Sequence, residues 1–251
     1  MDYINLFSTS VAIIGKNKLV WLFSLLIAIS SISFQFNKNL VFLSCFISIV
    51  ELYVLTVGSL GMAFILYQGY LGQPARLKDI WAKINSYIFR WIGLLIISGI
   101  VSSIPLIIIY LIAQRLPLIL AQLILTFPGY YFFTFYFNYL MFAMITNKLG
   151  VNQTLKLAMR AWSYNTRLKI IISSLSSFII IIFSLVLVII QKGFSFNPFV
   201  ISYKDYQIIN NMPISRLLTG IFEWLILPIV TAFIMLVYMN SIGDNDNIQN
   251  S

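Results

Sequence analysis

Stretches free of Lys, Arg, Asp and Glu recur along the whole chain, and their lengths predict its architecture more clearly than any period does. A bilayer-crossing helix needs roughly 20 predominantly apolar residues. Such stretches cover 19–36, 40–69 (broken only by Glu51), 91–113, 116–146, 170–190 and 217–240 (broken only by Glu223). They predict an all-α, polytopic membrane protein of about six transmembrane helices in three hairpins, forming a single integral membrane domain over 1–251. The early apolar start is read as an uncleaved helix, because 1–18 is too long for the basic region of a signal peptide and no A-x-A site follows Ile29. Two stretches, 40–69 and 116–146, would each run to about 45 Å against a hydrocarbon core of about 30 Å. Each must therefore tilt, break or protrude. In the second, Pro128 lacks the amide that would bond the Ile124 carbonyl and Gly129 follows, so a break is expected there, with 116–126 as a separate outer piece.

Between these stretches the pattern changes to amphipathic. In ARLKDIWAKINSYIFR, the apolar set Leu77, Ile80, Trp81, Ile84 and Ile88 follows helical spacing opposite Lys78, Asp79, Lys83 and Ser86. The N-terminal helix, 1–15, places Ile4, Phe7, Val11 and Ile14 on one face. VNQTLKLAMRAWSYN sets Leu155, Met159 and Trp162 against Lys156, Arg160 and Ser163. Each leads through an asparagine, Asn17, Asn85 or Asn165, into an apolar stretch, so each predicted hairpin is preceded by a basic interfacial helix lying in the headgroup plane. Under a transporter reading the same helices dock onto a motor subunit.

Charge sets the orientation. Of the sixteen Lys and Arg residues, all but Lys38, Arg115, Lys192, Lys204 and Arg216 fall on one side of the predicted spans. Cytoplasmic loops carry that excess, which makes both termini cytoplasmic and the cell (plasma or inner) membrane the expected location. The net charge of +9 is read as basic loops beside anionic lipid headgroups rather than as nucleic-acid binding. Composition excludes more than it suggests. Only 9% of residues are charged, histidine is absent, and Cys45 is the single cysteine, so a disulfide framework, a Cys/His zinc site and a His-paired nucleophile are all missing. No cofactor and no enzymatic activity are expected. The tail over 241–251 is polar and expected to be disordered, and its Asp244 and Asp246 fall short of a calcium loop.

The aromatic run FPGYYFFTFYFNYL, 127–140, is read as packing and interface anchoring, with Tyr130 and Tyr131 near the outer boundary and Asn138 as a partner for the deeper Tyr136 and Tyr139. The small residues Gly58, Ser59, Gly61 and Ala63, with Gly99 and Ser103 in the next span, predict close contact between those two helices. The loop 191–215, with Phe194, Phe196, Phe199, Tyr203 and Tyr206, is expected to lie against the outer membrane surface.

Ionisable residues inside spans are functional-site candidates by default, and Glu51 and Glu223 are the two. Arg115 and Arg216 lie near the same outer boundary as partners. These four residues form the candidate intramembrane polar site, either as structural ion pairs or as a proton- or cation-linked site. Pro228 frees the Trp224 carbonyl and Pro105 that of Val101, and broken helices beside a carboxylate are how many transporters build ion sites.

The segments LGMAFILYQGYLGQPARLKDIWAKINSYIFRWIGLLI, LMFAMITNKLGVNQTLKLAMRAWSYNTRLKIIISS and LPIVTAFIMLVYMN together resemble the membrane domain associated with bacterial glycerophosphodiester phosphodiesterases and related stand-alone multi-pass membrane proteins of uncharacterised function. The soluble phosphodiesterase domain has no counterpart here. The resemblance implies a six-helix membrane fold without hydrolase activity and an accessory role in envelope or lipid homeostasis. The alternative expectation is a permease or transporter subunit for an amphiphile or ion, using Glu51 and Glu223. A protein partner or a second copy of the chain is compatible with both.

Overall fold

The computed structural model describes residues 3–33, 41–147, 150–163, 166–193, 201–210 and 212–249. Among them the chain is all-helical: α1 (Tyr3–Lys16), α2 (Leu19–Ser33), α3 (Val41–Tyr70), α4 (Leu77–Ala113), α5 (Leu118–Pro128), a π segment (Gly129–Thr134), α6 (Phe135–Asn147), α7 (Val151–Ser163), α8 (Thr166–Lys192), α9 (Tyr203–Asn210) and α10 (Pro213–Gln249). The remaining ladder contact is one isolated antiparallel bridge between Pro117 and Ser202. Among the described residues four helices are long and apolar enough to cross a membrane: Ser48–Tyr70, Leu77–Ile100, Thr166–Lys192 and Pro213–Ser241. A fifth follows if α1 and α2, which bend by 94° at their junction, count together. The chain divides into two compact units, one of Met1–Leu94, Asn138–Ala161 and Leu218–Ser251, the other of Leu95–Phe137 and Trp162–Leu217.

In the first unit α2 packs along α3, and α1 lies against α3. Small residues on α3 make this possible. A Cβ at Gly61 would fall inside the Phe23 ring, one at Gly58 would sit 2.6 Å from Ile27 Cγ1, and one at Gly69 would sit 2.6 Å from Asn17 Nδ2. The smooth face of α3 therefore receives α2 and α1; at Gly99 a Cβ would meet nothing within 4 Å, while the side chain of Ser103 lies outside the described ones. Helix α4 meets α3 through larger groups, the Phe64 and Tyr87 rings at 5.6 Å. Further in, Tyr139 and Phe142 of α6 pack on Tyr238 of α10, with ring centroids at 5.5 and 6.1 Å.

The three basic helices differ from one another. At the α1–α2 bend, Asn17 is buried, its Nδ2 donates to the Ile13 carbonyl at 2.9 Å, and its own carbonyl accepts from Val20 at 3.0 Å. One side chain thus closes α1 while the same residue opens α2. Asn85 does neither. It is exposed in the middle of α4, whose 37 residues run unbroken for about 55 Å at helical rise, so the second basic stretch is an extension of the span and not a separate interfacial helix. Asn165 lies outside the described residues. Of the expected face of α1, Ile4, Phe7 and Val11 are exposed, whereas Ile14 is buried with Leu6, Ser10 and Ile13. Helix α7 buries Thr154, Ala158 and Ala161, with Met159 exposed. In α4, Ile80, Ile84 and Ile88 are buried and Leu77 and Trp81 are exposed.

The second unit is built on α5 and α8, with α9 packed on both. Pro128 ends α5, but the chain continues helically through the π segment into α6. The expected break is thus a change of helical pitch, which relieves the missing amide without exposing several backbone groups. Within the loop expected on the outer surface, Ser202 caps α9. Its hydroxyl accepts from the Asp205 amide at 3.1 Å and donates to Asp205 Oδ2 at 2.7 Å. Tyr206 and Ile209 then bury against Leu118 and Val188, so Tyr206 is a core residue; Phe194, Phe196 and Phe199 lie outside the described residues. Burial pushes the pKa values of Tyr203 and Tyr206 up. At its end, α10 remains helical through Gln249 where a disordered tail was expected, because adding residues to an existing helix needs no new nucleus.

Candidate functional site

The four residues expected to form an intramembrane site are distributed over both compact units. Glu51 and Glu223 belong to the first, Arg115 and Arg216 to the second. Glu51, on α3, is 5% exposed, and its buried Oε1 has no hydrogen-bond partner among the described residues. Glu223 is half-buried on α10, Arg115 is exposed in the turn after α4, and Arg216 is half-buried in the first turn of α10. The carbonyl freed by Pro228 is already engaged: Ser24 Oγ of α2 donates to the Trp224 oxygen at 2.8 Å. In return Trp224 Nε1 donates to the Trp21 carbonyl at 2.9 Å, and the two indoles meet edge to face at 6.0 Å. This reciprocal clasp ties α10 to α2. Among the described residues no group of three or more His, Cys, Asp and Glu side chains is placed to hold a metal.

A second constellation, inside the second unit, was not foreseen. Lys169, counted in the sequence as an ordinary basic-loop residue, is 1% exposed. Its Nζ donates to the Trp162 carbonyl in the last turn of α7 and lies 4.4 Å from the Trp162 ring centroid and 5.5 Å from that of Tyr131. Trp162 Nε1 in turn reaches the Tyr131 carbonyl of the π segment at 3.4 Å. Phe132 packs on both rings, at 4.9 Å from Tyr131 and 5.7 Å from Trp162. The upstream part of the aromatic run therefore builds a box around a buried amine, which clamps the π segment, the end of α7 and the start of α8 together. A basic group at a helix C-terminus is favoured by the unpaired carbonyls and the dipole there.

From Lys169 a polar track runs along α8. Lys169, Ser173, Ser177 and Ser184 are all buried, and with Gln191 they occupy an arc of about 80° over about 33 Å of helix. Leu175, Phe178, Ile182 and Val186 on the opposite face are exposed. Helix α8 is thus amphipathic in the inverted sense, apolar outward and polar inward. Ser177 Oγ donates to the Ser173 carbonyl at 2.7 Å, and Ser184 Oγ donates to the Tyr206 hydroxyl at 3.1 Å, a hydroxyl that Gln122 of α5 also bonds. Ser173 Oγ is buried without a hydrogen-bond partner among the described residues. The signal was present in the sequence as Lys and Ser at i, i+4, i+8 and i+15. Compared with protein-family models, curated proteins and solved structures, the chain matches none.

Proposed function

We propose that this chain is a non-catalytic, multi-pass protein of the cell membrane, acting as an accessory or interaction partner in the envelope. Its support is the inverted distribution of polarity. Long apolar stripes face outward on α4 and α8, including Ile100, Ile104, Ile107 and Leu111 on α4. In water such contiguous surface would drive aggregation; in lipid it is the ordinary outer face. On this reading the spans are six: α2, α3, α4, the α5–π–α6 run, α8 and α10, paired as three hairpins with both termini in the cytoplasm. The exposed apolar residues Ile4, Phe7 and Val11 of α1 and Met159 of α7 dip into the headgroup layer, beside Lys16, Lys156 and Arg160. The resemblance to the membrane domain of glycerophosphodiester phosphodiesterases points the accessory role toward lipid homeostasis.

Alkaline carbonate extraction and single-cysteine labelling test this. In a Cys45→Ser background, Ser8→Cys is expected to label from the cytoplasm and Ser202→Cys from the outside, with the protein retained in the membrane pellet. Release by carbonate would end the reading, and labelling of both cysteines from one side would end the six-span topology.

A second reading, favoured by the buried oxygen of Glu51 that has no hydrogen-bond partner among the described residues, is a permease or transporter subunit for an amphiphile or ion. Complementation of a deletion strain by a stably expressed Glu51→Gln, Glu223→Gln protein decides between them. Full complementation supports the accessory role, and failure supports transport.

A further inference from the structure

Two cavities lie one after the other along the same pair of elements in the first unit. The first, about 310 Å³, is lined by Lys16, Asn17, Lys18, Leu19, Pro74 and Ala75. The second, about 470 Å³, is lined by Leu22, Phe23, Leu26, Leu77, Lys78 and Trp81. Both are of the size that small-ligand sites have, about 300–1,000 Å³. One wall of the pair is a single face of α2, since Leu19, Leu22, Phe23 and Leu26 stand at i, i+3, i+4 and i+7. The other wall is the turn before α4 and that helix's first turns. The two cavities thus form successive parts of one trough, which rises along α2 by about 10 Å from Leu19 to Leu26.

The ends of this trough differ in chemistry. Its mouth is set by the 94° bend between α1 and α2, which leaves Lys16 and Lys18 on either side of the buried Asn17. Both lysines are exposed, as is Lys78 on the facing wall, and Arg76 and Asp79 are exposed neighbours of it in the chain. Its deeper part is apolar, and Leu22, Leu77 and Trp81 there are all half-exposed. A cationic mouth over an apolar trough matches a molecule with an anionic head and a hydrocarbon tail.

We propose that this trough is a specific site for one anionic phospholipid. Its phosphate sits among Lys16, Lys18 and Lys78, and the first part of an acyl chain lies along Leu22, Phe23 and Leu26 beneath Trp81. Lysines on flexible stems adjust to a headgroup phosphate while their methylenes line the apolar wall, and an indole suits the headgroup boundary. The site rests on the membrane reading above and sharpens it, from a general attraction of basic helices for anionic lipid to one stoichiometric binding place.

The test is native mass spectrometry of the full chain released from mild detergent, offered phosphatidylglycerol and phosphatidylcholine in equal amounts. One phosphatidylglycerol per chain is expected to remain. Because each basic residue contributes about 1 kcal/mol toward an anionic lipid, a Lys16→Gln, Lys18→Gln, Lys78→Gln protein is expected to lose affinity by about fivefold per lysine. Leu22→Trp, which fills the trough from a half-exposed position, is expected to abolish retention with an unchanged melting temperature. Equal retention of both lipids, or full retention by the triple variant or by Leu22→Trp, would overturn the site. So would displacement of the lipid by soluble glycerol 3-phosphate alone, since the apolar trough would then contribute nothing. Carbonate extraction of the membranes before detergent is added separates this failure from failure of the membrane reading: only the latter predicts release from the pellet.

Discussion

Helices α3 and α8 are both long, apolar and able to span a bilayer, yet they bury opposite kinds of surface. Helix α3 is largely covered by protein, and what it buries is absence: at Gly58, Gly61 and Gly69 missing side chains admit Phe23, Ile27 and Asn17. Most of α8 is left open, and the narrow face it buries carries a polar track from Lys169 through Ser173, Ser177 and Ser184 beside Leu187 and Val188. Lipid tails are as apolar as leucine, so burying more leucine between helices gains little in a membrane. What holds spans together is close van der Waals approach or interhelical hydrogen bonding. The two helices each rely on one of these.

The largest expected effect breaks the α3 side. Gly61→Leu would drive a side chain into the Phe23 ring, which is 2% exposed, and a loss of about 3 kcal/mol is expected, read as a collapsed melting temperature in detergent. Gly99→Leu, at a small residue with open space, is expected to leave that temperature unchanged. Next comes the α8 side: Lys169→Met keeps the volume but leaves the Trp162 carbonyl without its donor, for about 2 kcal/mol, accompanied by a shift in tryptophan emission. Ser184→Ala, which removes one donor to Tyr206, is expected to cost about 1 kcal/mol. A Ser184→Ala effect as large as that of Gly61→Leu would mean that the polar track, not close approach, dominates both units. The smallest change has the opposite sign. Glu51→Gln removes an ionisable group whose oxygen is buried without a partner among the described residues, so a slightly raised melting temperature is expected. A fall would show that the carboxylate is held by an interaction worth more than its burial costs.

Much of this protein was legible in the residues. Apolar runs of sufficient length, with charge confined between them, fix the helical membrane class, because backbone groups in hydrocarbon have to be satisfied within the segment. The ends of α3, at Val41–Tyr70, follow the sequence boundaries closely, whereas α8 starts before its apolar run and α10 continues past its own to Gln249. Boundaries of that second kind were not legible. Nothing in ARLKDIWAKINSYIFR distinguishes a separate interfacial helix from the lower half of a longer one, and Asn85 resembles Asn17 until one is seen to close a turn and the other to sit mid-helix.

The candidate site was legible only as a set of residue types. Charge drew attention to Glu51, Glu223, Arg115 and Arg216, while Lys169 was passed over because basic residues beside a span are usually solvated. Only tertiary structure could decide that Lys169 is enclosed, because the enclosing groups, Tyr131 and Trp162, come from other helices and meet it through a π segment that no local pattern announces. The same holds for the Trp224 carbonyl: sequence determines that Pro228 frees it, and packing alone determines that Ser24, distant in the chain, accepts the task of bonding it. Local chemistry thus sets which backbone groups and surfaces need partners, and the long-range approach of helices sets who those partners are.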